Sequence, residues 1–214
     1  MKNLQNSVTS TSGSTLHTTS QDQITSTGFT TLQAGILFDF ISKDLKEFKE
    51  VQTPGKKFWV IEPSKAFIDY MVKRINIFEN ANVENILAFF REAKEGQDND
   101  WRIHNDSIIE GKQPDRAIVF YISDSKTKEL NGTAFWKHKK YGDTFKDSFD
   151  LNEFNRLIKE ESNNLDNWEL NSIVGHKKNR LLSYPCNYFH SKYPKEFKSS
   201  RIVFVMFYKV NNNE

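Results

Sequence analysis

The pattern of apolar and polar residues changes character near Gly96. Before this residue, three segments place apolar residues at steps of three and four, which is the period of an amphipathic helix. Ser64 follows Pro63 as a plausible N-cap of the second segment, and Gly96 occupies a natural C-cap position after the third. The three predicted helices span 36–48, 63–78 and 83–96, and the run KKFWVIE between the first two predicts a strand at 56–62.

After Gly96 the apolar residues occur in short runs rich in β-branched and aromatic side chains, separated by turn-forming residues such as Asn131-Gly132. One helix interrupts them at 151–161, with Asp150 as N-cap and Glu153 completing a capping box. Short strands at roughly regular spacing predict a β-sandwich or barrel that follows the helices. The predicted strands are 101–106, 116–123, 132–138, 171–176, 179–185 and 201–210.

The first residues of the chain have a different composition. Residues 1 to 28 consist mainly of Ser, Thr, Asn and Gln, which bury too little apolar surface to offset the entropy of ordering them. We therefore expect a flexible tail at 1–28, in which His17 is inert, followed by a single domain at 29–214. Within that domain, 29–96 is expected to supply helical support and 97–214 a β core with a helical insertion at about 150–162.

Composition restricts the classes of protein that remain. The chain has 214 residues, a formal net charge of +2 and one cysteine, Cys186, so it has neither an intrachain disulfide nor a cysteine-based zinc site. It also lacks an apolar run long enough for a membrane span and the apolar core of a signal peptide. These features favour a soluble cytoplasmic protein that has no membrane partner. The lysine clusters at 137–140 and 177–178 are typical of solvated loops. A similar solvated position is expected for the adjacent His138 and His176, with a position at the mouth of the barrel as the alternative.

Candidate chemistry lies in the β region. His104 and Asp106 are two residues apart, so they share one face of a strand or of its end. His190 follows an apolar run and is the best candidate for a third ligand, which would complete the two-histidine, one-carboxylate set of non-haem Fe(II) oxygenases. Arg201 opens a very apolar strand, where a buried guanidinium requires an anionic partner. A dicarboxylic co-substrate meets both requirements, since one end can chelate iron and the other can pair with Arg201.

With these pieces in this order, the C-terminal half of the chain resembles the 2-oxoglutarate- and Fe(II)-dependent dioxygenases, in particular their prolyl-hydroxylase-like branch. The resemblance implies a double-stranded β-helix, a distorted jelly roll, supported by N-terminal helices. It implies that His104, Asp106 and His190 ligate Fe(II). It further implies that Arg201 and Tyr121 bind the distal carboxylate of 2-oxoglutarate. The matching pieces are HND (104–106), RAIVFYISD (116–124), NGTAFW (131–136), NRLLSYPCNYFH (179–190) and RIVFVMFY (201–208).

The activity implied by the resemblance is hydroxylation by O₂ with release of succinate and CO₂, on a protein, peptide or amino-acid-like substrate. Two alternatives stay open: a non-catalytic jelly-roll module for binding or assembly, and an oxygenase directed at a nucleobase. The chain departs from the family at Asn131-Gly132, where many relatives carry two glycines, and in the long charged stretch 137–170, which commonly shapes the substrate entrance. Neither the substrate nor the oligomeric state follows from the sequence.

Overall fold

The protein is described here by a computed structural model, which covers 9–11, 23–45, 47–53, 56–96, 101–124, 130–144, 151–195, 197 and 199–211. Within these ranges the chain forms eleven strands and three α-helices. The strands are β1 (Thr9–Thr11), β2 (Thr25–Gly28), β3 (Lys49–Thr53), β4 (Lys56–Ile61), β5 (Asn82–Ala93), β6 (Arg116–Tyr121), β7 (Gly132–His138), β8 (Trp168–Gly175), β9 (Arg180–Pro185), β10 (His190–Tyr193) and β11 (Arg201–Asn211). The helices are α1 (Thr31–Asp44), α2 (Lys65–Glu79) and α3 (Leu151–Arg156), the last continued by a π-helical turn (Leu157–Glu161), and a 3₁₀ turn follows (Leu165–Asn167).

The strands form two sheets. The larger has the order β1-β2-β9-β6-β11-β5-β4-β3, and the smaller has the order β10-β7-β8. In the described part of the chain, β1 and β2 pair in parallel and the other strand pairs are antiparallel. Outside the named strands, His104 bridges to His190 at the β10 edge of the smaller sheet. One residue of the predicted strand 101–106 thus takes part in β pairing.

The larger sheet is covered on both faces, which the alternation along β11 makes clear. Phe204, Met206 and Tyr208 pack with the buried residues of α1 and α2. Val203 and Val205 point the other way, toward the smaller sheet, in a cluster that also contains residues of β7 and β8. The architecture is therefore a β-sandwich with its helices on one outer face.

Two helices begin where local hydrogen bonds favour a start. Ser64 caps α2 by accepting from the backbone N–H of Phe67 at 3.3 Å, as predicted. Helix α1 begins at Thr31, earlier than the predicted 36, because Thr30 and Gln33 form a capping box ahead of the apolar stripe. The helix predicted at 151–161 is observed as α3 and its π-helical turn, whereas its predicted N-cap, Asp150, lies outside the described residues.

The predicted helix at 83–96 is wrong, because this segment is the long strand β5. The run ILAFF is apolar at every position, and such a run does not distinguish a buried helix from a strand covered on both faces. In the structure Phe90 faces the helices and Phe89 faces the smaller sheet. Gly96 consequently lies in a turn beyond the strand, with φ of +73°, and caps no helix. The segment 29–96 thus supplies three strands as well as two helices.

The predicted tail is also wrong for residues 25–28, which form β2 and pair antiparallel with β9. Thr25 and Ser26 are buried there. Composition misled the prediction because small polar residues can satisfy a strand ladder with their backbone, without contributing apolar side chains. His17 lies outside the described residues. Among the helices in the described ranges, none has the length and apolar character that spanning a bilayer requires.

Candidate metal centre

The three predicted ligands, His104, Asp106 and His190, converge on one point. One ligand atom from each lies within 4.8 Å of the others. The Nε2 atom of His190 is 3.2 Å from one carboxylate oxygen of Asp106, and Nε2 of His104 is 3.7 Å from the other. Two of these side chains are buried, and His104 is half-buried.

Backbone pairing explains how residues so distant in sequence meet. His104 and His190 exchange two backbone hydrogen bonds, of 3.0 and 2.8 Å, which set their rings side by side with centroids 4.6 Å apart. The backbone N–H of Asp106 donates to the carbonyl of Cys186 at 2.8 Å, which fixes the carboxylate beside the two rings. The site is therefore built on a paired strand end rather than on a free loop.

The second nitrogen of each ring determines which atom faces the centre. Nδ1 of His104 lies 2.7 Å from the carbonyl oxygen of Arg102, and Nδ1 of His190 lies 3.0 Å from that of Tyr188. A carbonyl oxygen only accepts, so each Nδ1 carries a proton and donates it. In the neutral ring the Nε2 lone pair then points toward Asp106, as in metal sites whose histidines are oriented by backbone carbonyls.

The Asp106 carboxylate is ionised despite its burial. Burial alone would raise its pKa, but when the two Nε2 atoms carry protons in place of a metal ion, the charge and hydrogen bond of His190, together with the charges of His104 and Arg91, hold the pKa of Asp106 below its ordinary value. An ionised carboxylate facing two imidazole nitrogens requires a cation or proton between them.

This donor set fits a divalent transition metal. Neighbouring ligands of an octahedral ion at about 2.1 Å are about 3 Å apart, close to the shorter of the two distances measured here. Two imidazoles and one carboxylate form the set that suits non-haem Fe(II) and leaves further positions for other ligands. The residues present therefore fit the group that the sequence predicts.

Tyr184 adjoins the centre and was missed by the sequence analysis. Its hydroxyl lies 3.1 Å from Nε2 of His190, and the side chain is buried. Burial raises the pKa of Tyr184 well above its ordinary value, and the charge of Asp106 raises it further, so the phenol stays protonated. The signal available in the sequence was its position in β9, two residues after the inward-facing Leu182.

A cavity of about 740 Å³ opens beside the three ligands and lies between the two sheets. Arg201 and Thr133 also line it. Arg201 is the first residue of β11 and is buried, with its guanidinium 5.2 Å from the ring centroid of Tyr121 and 5.3 Å from that of Phe197. A buried cation thus lies in the same cavity as the predicted ligands.

Tyr121 is fully buried, and its hydroxyl contacts a residue that lines the cavity. Its hydroxyl is 2.8 Å from Oγ1 of Thr133, which lines the cavity, and donates a weaker bond to the carbonyl of Val174 at 3.4 Å. Its ring stacks on His176 at 5.0 Å. The contact predicted between Tyr121 and a co-substrate carboxylate stays a prediction, and Thr133 is a further candidate that the sequence analysis did not single out.

The expectation that His138 and His176 are solvated is wrong. His138 is buried, with its Nε2 3.0 Å from Glu161, because the insertion after β7 folds back over it. His176 is half-buried, with its Nε2 2.7 Å from the carbonyl of Ser123. Burial lowers the pKa of His176, and the nearby Arg201 lowers it further against the opposing effect of that hydrogen bond.

Comparisons with known proteins bear on the fold. No family model matches the chain, and no curated protein matches it. Among solved structures, HygX from Streptomyces hygroscopicus, with nickel and 2-oxoglutarate bound, is 12% identical over 89% of this chain and 84% of its own, with a TM-score of 0.52.

Two further structures match over similar lengths. SnoK, a non-haem α-ketoglutarate-dependent carbocyclase from nogalamycin biosynthesis, is 8% identical over 88% of this chain and 79% of its own, with a TM-score of 0.58. A Pseudomonas putida prolyl-4-hydroxylase is 11% identical over 85% and 87%, with a TM-score of 0.50. The likeness is one of fold. It confirms the predicted fold class, a mostly β double-stranded β-helix with N-terminal helices.

Proposed function

We propose that this chain is an Fe(II)- and 2-oxoglutarate-dependent dioxygenase that hydroxylates a protein, peptide or amino-acid-like substrate. The observation that carries the proposal is the meeting of His104, Asp106 and His190 at one point, with both Nδ1 atoms bonded to carbonyls. The shared fold with structures that hold a metal and 2-oxoglutarate supports the same function. The fold match to a prolyl-4-hydroxylase supports placement in the prolyl-hydroxylase-like branch.

Each residue has a distinct part in this proposal. His104, Asp106 and His190 hold Fe(II), and Arg201 binds the distal carboxylate of 2-oxoglutarate with help from Tyr121. When bound, the iron and co-substrate supply the chemistry that uses O₂ to convert a C–H bond to C–OH while 2-oxoglutarate becomes succinate and CO₂. The protonated phenol of Tyr184 keeps a hydrogen-bond donor beside the ligands.

Apolar residues from two parts of the fold line the cavity around the proposed reacting groups. Val119, Val203 and Val205 line it from the larger sheet, and Phe154 and Ile158 line it from the insertion. Apolar walls keep the local dielectric low, which strengthens the pairing of Arg201 with a carboxylate. The cysteine Cys186 is free and buried, which is compatible with the cytoplasmic location that we also propose.

The two alternative functions find less support. A non-catalytic module has no need for two oriented imidazoles around an ionised carboxylate. A nucleobase-directed enzyme needs a basic groove with stacking aromatics. Instead, Lys139 donates to the carbonyl of Asp166, and Lys140 pairs with Glu153 at 3.1 Å.

Turnover of 2-oxoglutarate tests the proposal. Protein supplied with Fe(II), 2-oxoglutarate and O₂ should form succinate, and His104→Ala or Asp106→Ala should lower the rate at least about a hundredfold, because each removes a metal ligand. Asp69→Ala is a matched control, since Asp69 is exposed on α2 and pairs only with Lys65 in the described structure. Succinate formation that persists in both ligand variants would remove the proposal.

A further inference from the structure

The inner face of the larger sheet carries an apolar groove in the same cavity as the three predicted ligands. It arises mainly from strand alternation, which turns alternate residues in parts of β4, β5 and β11 toward the cavity, and β3 adds Val51. The residues that line the groove are Val51, Phe58, Val60, Leu87, Phe89, Val205 and Phe207.

Arg91 places a positive charge on this otherwise apolar wall. It continues the inward-facing series of Leu87 and Phe89 on β5, and pairs with Val203 on β11 and Val60 on β4. It therefore lies on the wall of the cavity that the three predicted ligands also line.

The contact of Arg91 with an aromatic ring suits recognition of a planar anion. Its guanidinium carbon lies 5.3 Å from the ring centroid of Phe58. An aromatic ring holds the face of a guanidinium, while the N–H groups lie in its plane and donate sideways. A carboxylate matches this planar fork with two parallel hydrogen bonds.

The distribution of charge in the cavity favours an anion as well. Arg91 and Arg102 are half-buried, and Arg102 immediately precedes the strand end that carries His104. Glu62 and Glu110 also line the cavity but are exposed. Apart from Asp106, the acids named here are thus more exposed than these two cations.

We propose that the substrate is a small organic carboxylate with an apolar body, bound through Arg91. Its carboxylate pairs with the Arg91 guanidinium, while Arg102 adds positive potential and the apolar body follows the groove over Phe89 and Val60. A cavity of about 740 Å³ has the size of a small-molecule site. This inference rests on the proposed function. It narrows the amino-acid-like substrate class to carboxylic acids that carry an apolar side chain or an apolar hydrocarbon chain.

Matched acids and amides test the inference by direct binding. N-acetyl-leucine, N-acetyl-phenylalanine and octanoate are each compared with the corresponding primary amide, by calorimetry on protein loaded with Ni(II) and 2-oxoglutarate. At least one acid should bind ten-fold or more tightly than its amide, because only the acid forms a charged pair with Arg91. Equal affinity of every acid and its amide, or no binding by any acid, would overturn the inference.

Variants assign the preference to Arg91. Arg91→Gln should remove the difference between acid and amide, and Arg91→Lys should restore part of it. Lys57→Gln is the matched control, because it removes one positive charge from the neighbouring β4, where Lys57 pairs with Glu50 at 3.0 Å. An acid preference that survives in Arg91→Gln contradicts the inference, as does a loss of 2-oxoglutarate affinity in that variant without a loss of acid preference.

The same protein separates this inference from the proposed function. If the wild-type protein binds 2-oxoglutarate and forms succinate but shows no preference for acids, only the substrate assignment is wrong. If it neither binds 2-oxoglutarate nor forms succinate, the proposed function itself is wrong.

Discussion

At the scale of single residues, two backbone carbonyls define the chemistry of the centre. The carbonyls of Arg102 and Tyr188 each accept from an Nδ1 atom, which leaves both Nε2 atoms for the proposed metal. This control is local, since each carbonyl belongs to the residue two positions before its histidine. The sequence immediately before each histidine therefore helps to orient the ring of that predicted ligand.

Arg201 should bind the co-substrate and leave metal binding intact. Arg201→Ala should raise the 2-oxoglutarate concentration required for half-maximal turnover by about ten- to a hundredfold, because a charge-assisted pair contributes about 1.5–3 kcal/mol. Fe(II) affinity, measured separately by calorimetry under anaerobic conditions, should change little. Arg201→Lys keeps the charge without the planar fork and should give an intermediate value. A loss of Fe(II) affinity in Arg201→Ala would show that its assignment is wrong.

At the scale of elements, the pairing of β7 with β8 restricts which residue can occupy position 132, where β7 begins. Its φ is +152°, and a Cβ built there would lie 2.0 Å from the carbonyl oxygen of Val174 on β8. The close pairing of β7 with β8 thus requires glycine. One glycine is sufficient here, although many members of the family that this chain resembles have two glycines at this turn.

Substitution of Gly132 should therefore destabilise the smaller sheet. Gly132→Ala should lower the free energy of unfolding in urea by about 2 kcal/mol or more, since the backbone must shift. Gly35→Ala is the control, because Gly35 lies in α1 and a Cβ added there would meet nothing within 4 Å. There, alanine should be neutral or stabilising by up to about 1 kcal/mol. Equal effects of the two substitutions would contradict the packing described for β7 and β8.

The insertion after β7 is an element whose position, but not packing, could be predicted. Its helix was evident from the apolar spacing at 151–161, and the long charged stretch was expected to shape the entrance. In the structure Phe154 and Ile158 line the cavity, and Glu161 pairs with the buried His138. Neighbouring lysines made His138 look solvated, because its burial depends on a segment more than one strand away in sequence.

At the scale of the whole molecule, the sequence pointed to the residues that converge at the candidate centre, but not to the residues that form the cavity walls. His104, Asp106 and His190 lie in short segments with recognisable neighbours, and the structure brings them together. The position of Arg91 in the cavity wall could not be predicted, because the apolar run in its strand, β5, is equally typical of a buried helix. Which face of β5 meets the cavity depends on its pairing with β4 and β11, and that information is distributed over the chain.

Both sheets contribute residues to the proposed metal and co-substrate site. β10 of the smaller sheet supplies His190, while Arg201 comes from β11 in the larger sheet. Between them the cavity is lined by both sheets and by the insertion. Packing of the sandwich therefore sets the distance between the predicted metal and the predicted co-substrate anchor.

Anaerobic titration of the protein with Fe(II) and 2-oxoglutarate tests the central claim most directly. Chelation of iron by the keto acid should give a weak visible charge-transfer band that saturates at one iron per chain, and Asp106→Ala should abolish it. Absence of the band in the wild-type protein, or an equally strong band in Asp106→Ala, would contradict the account.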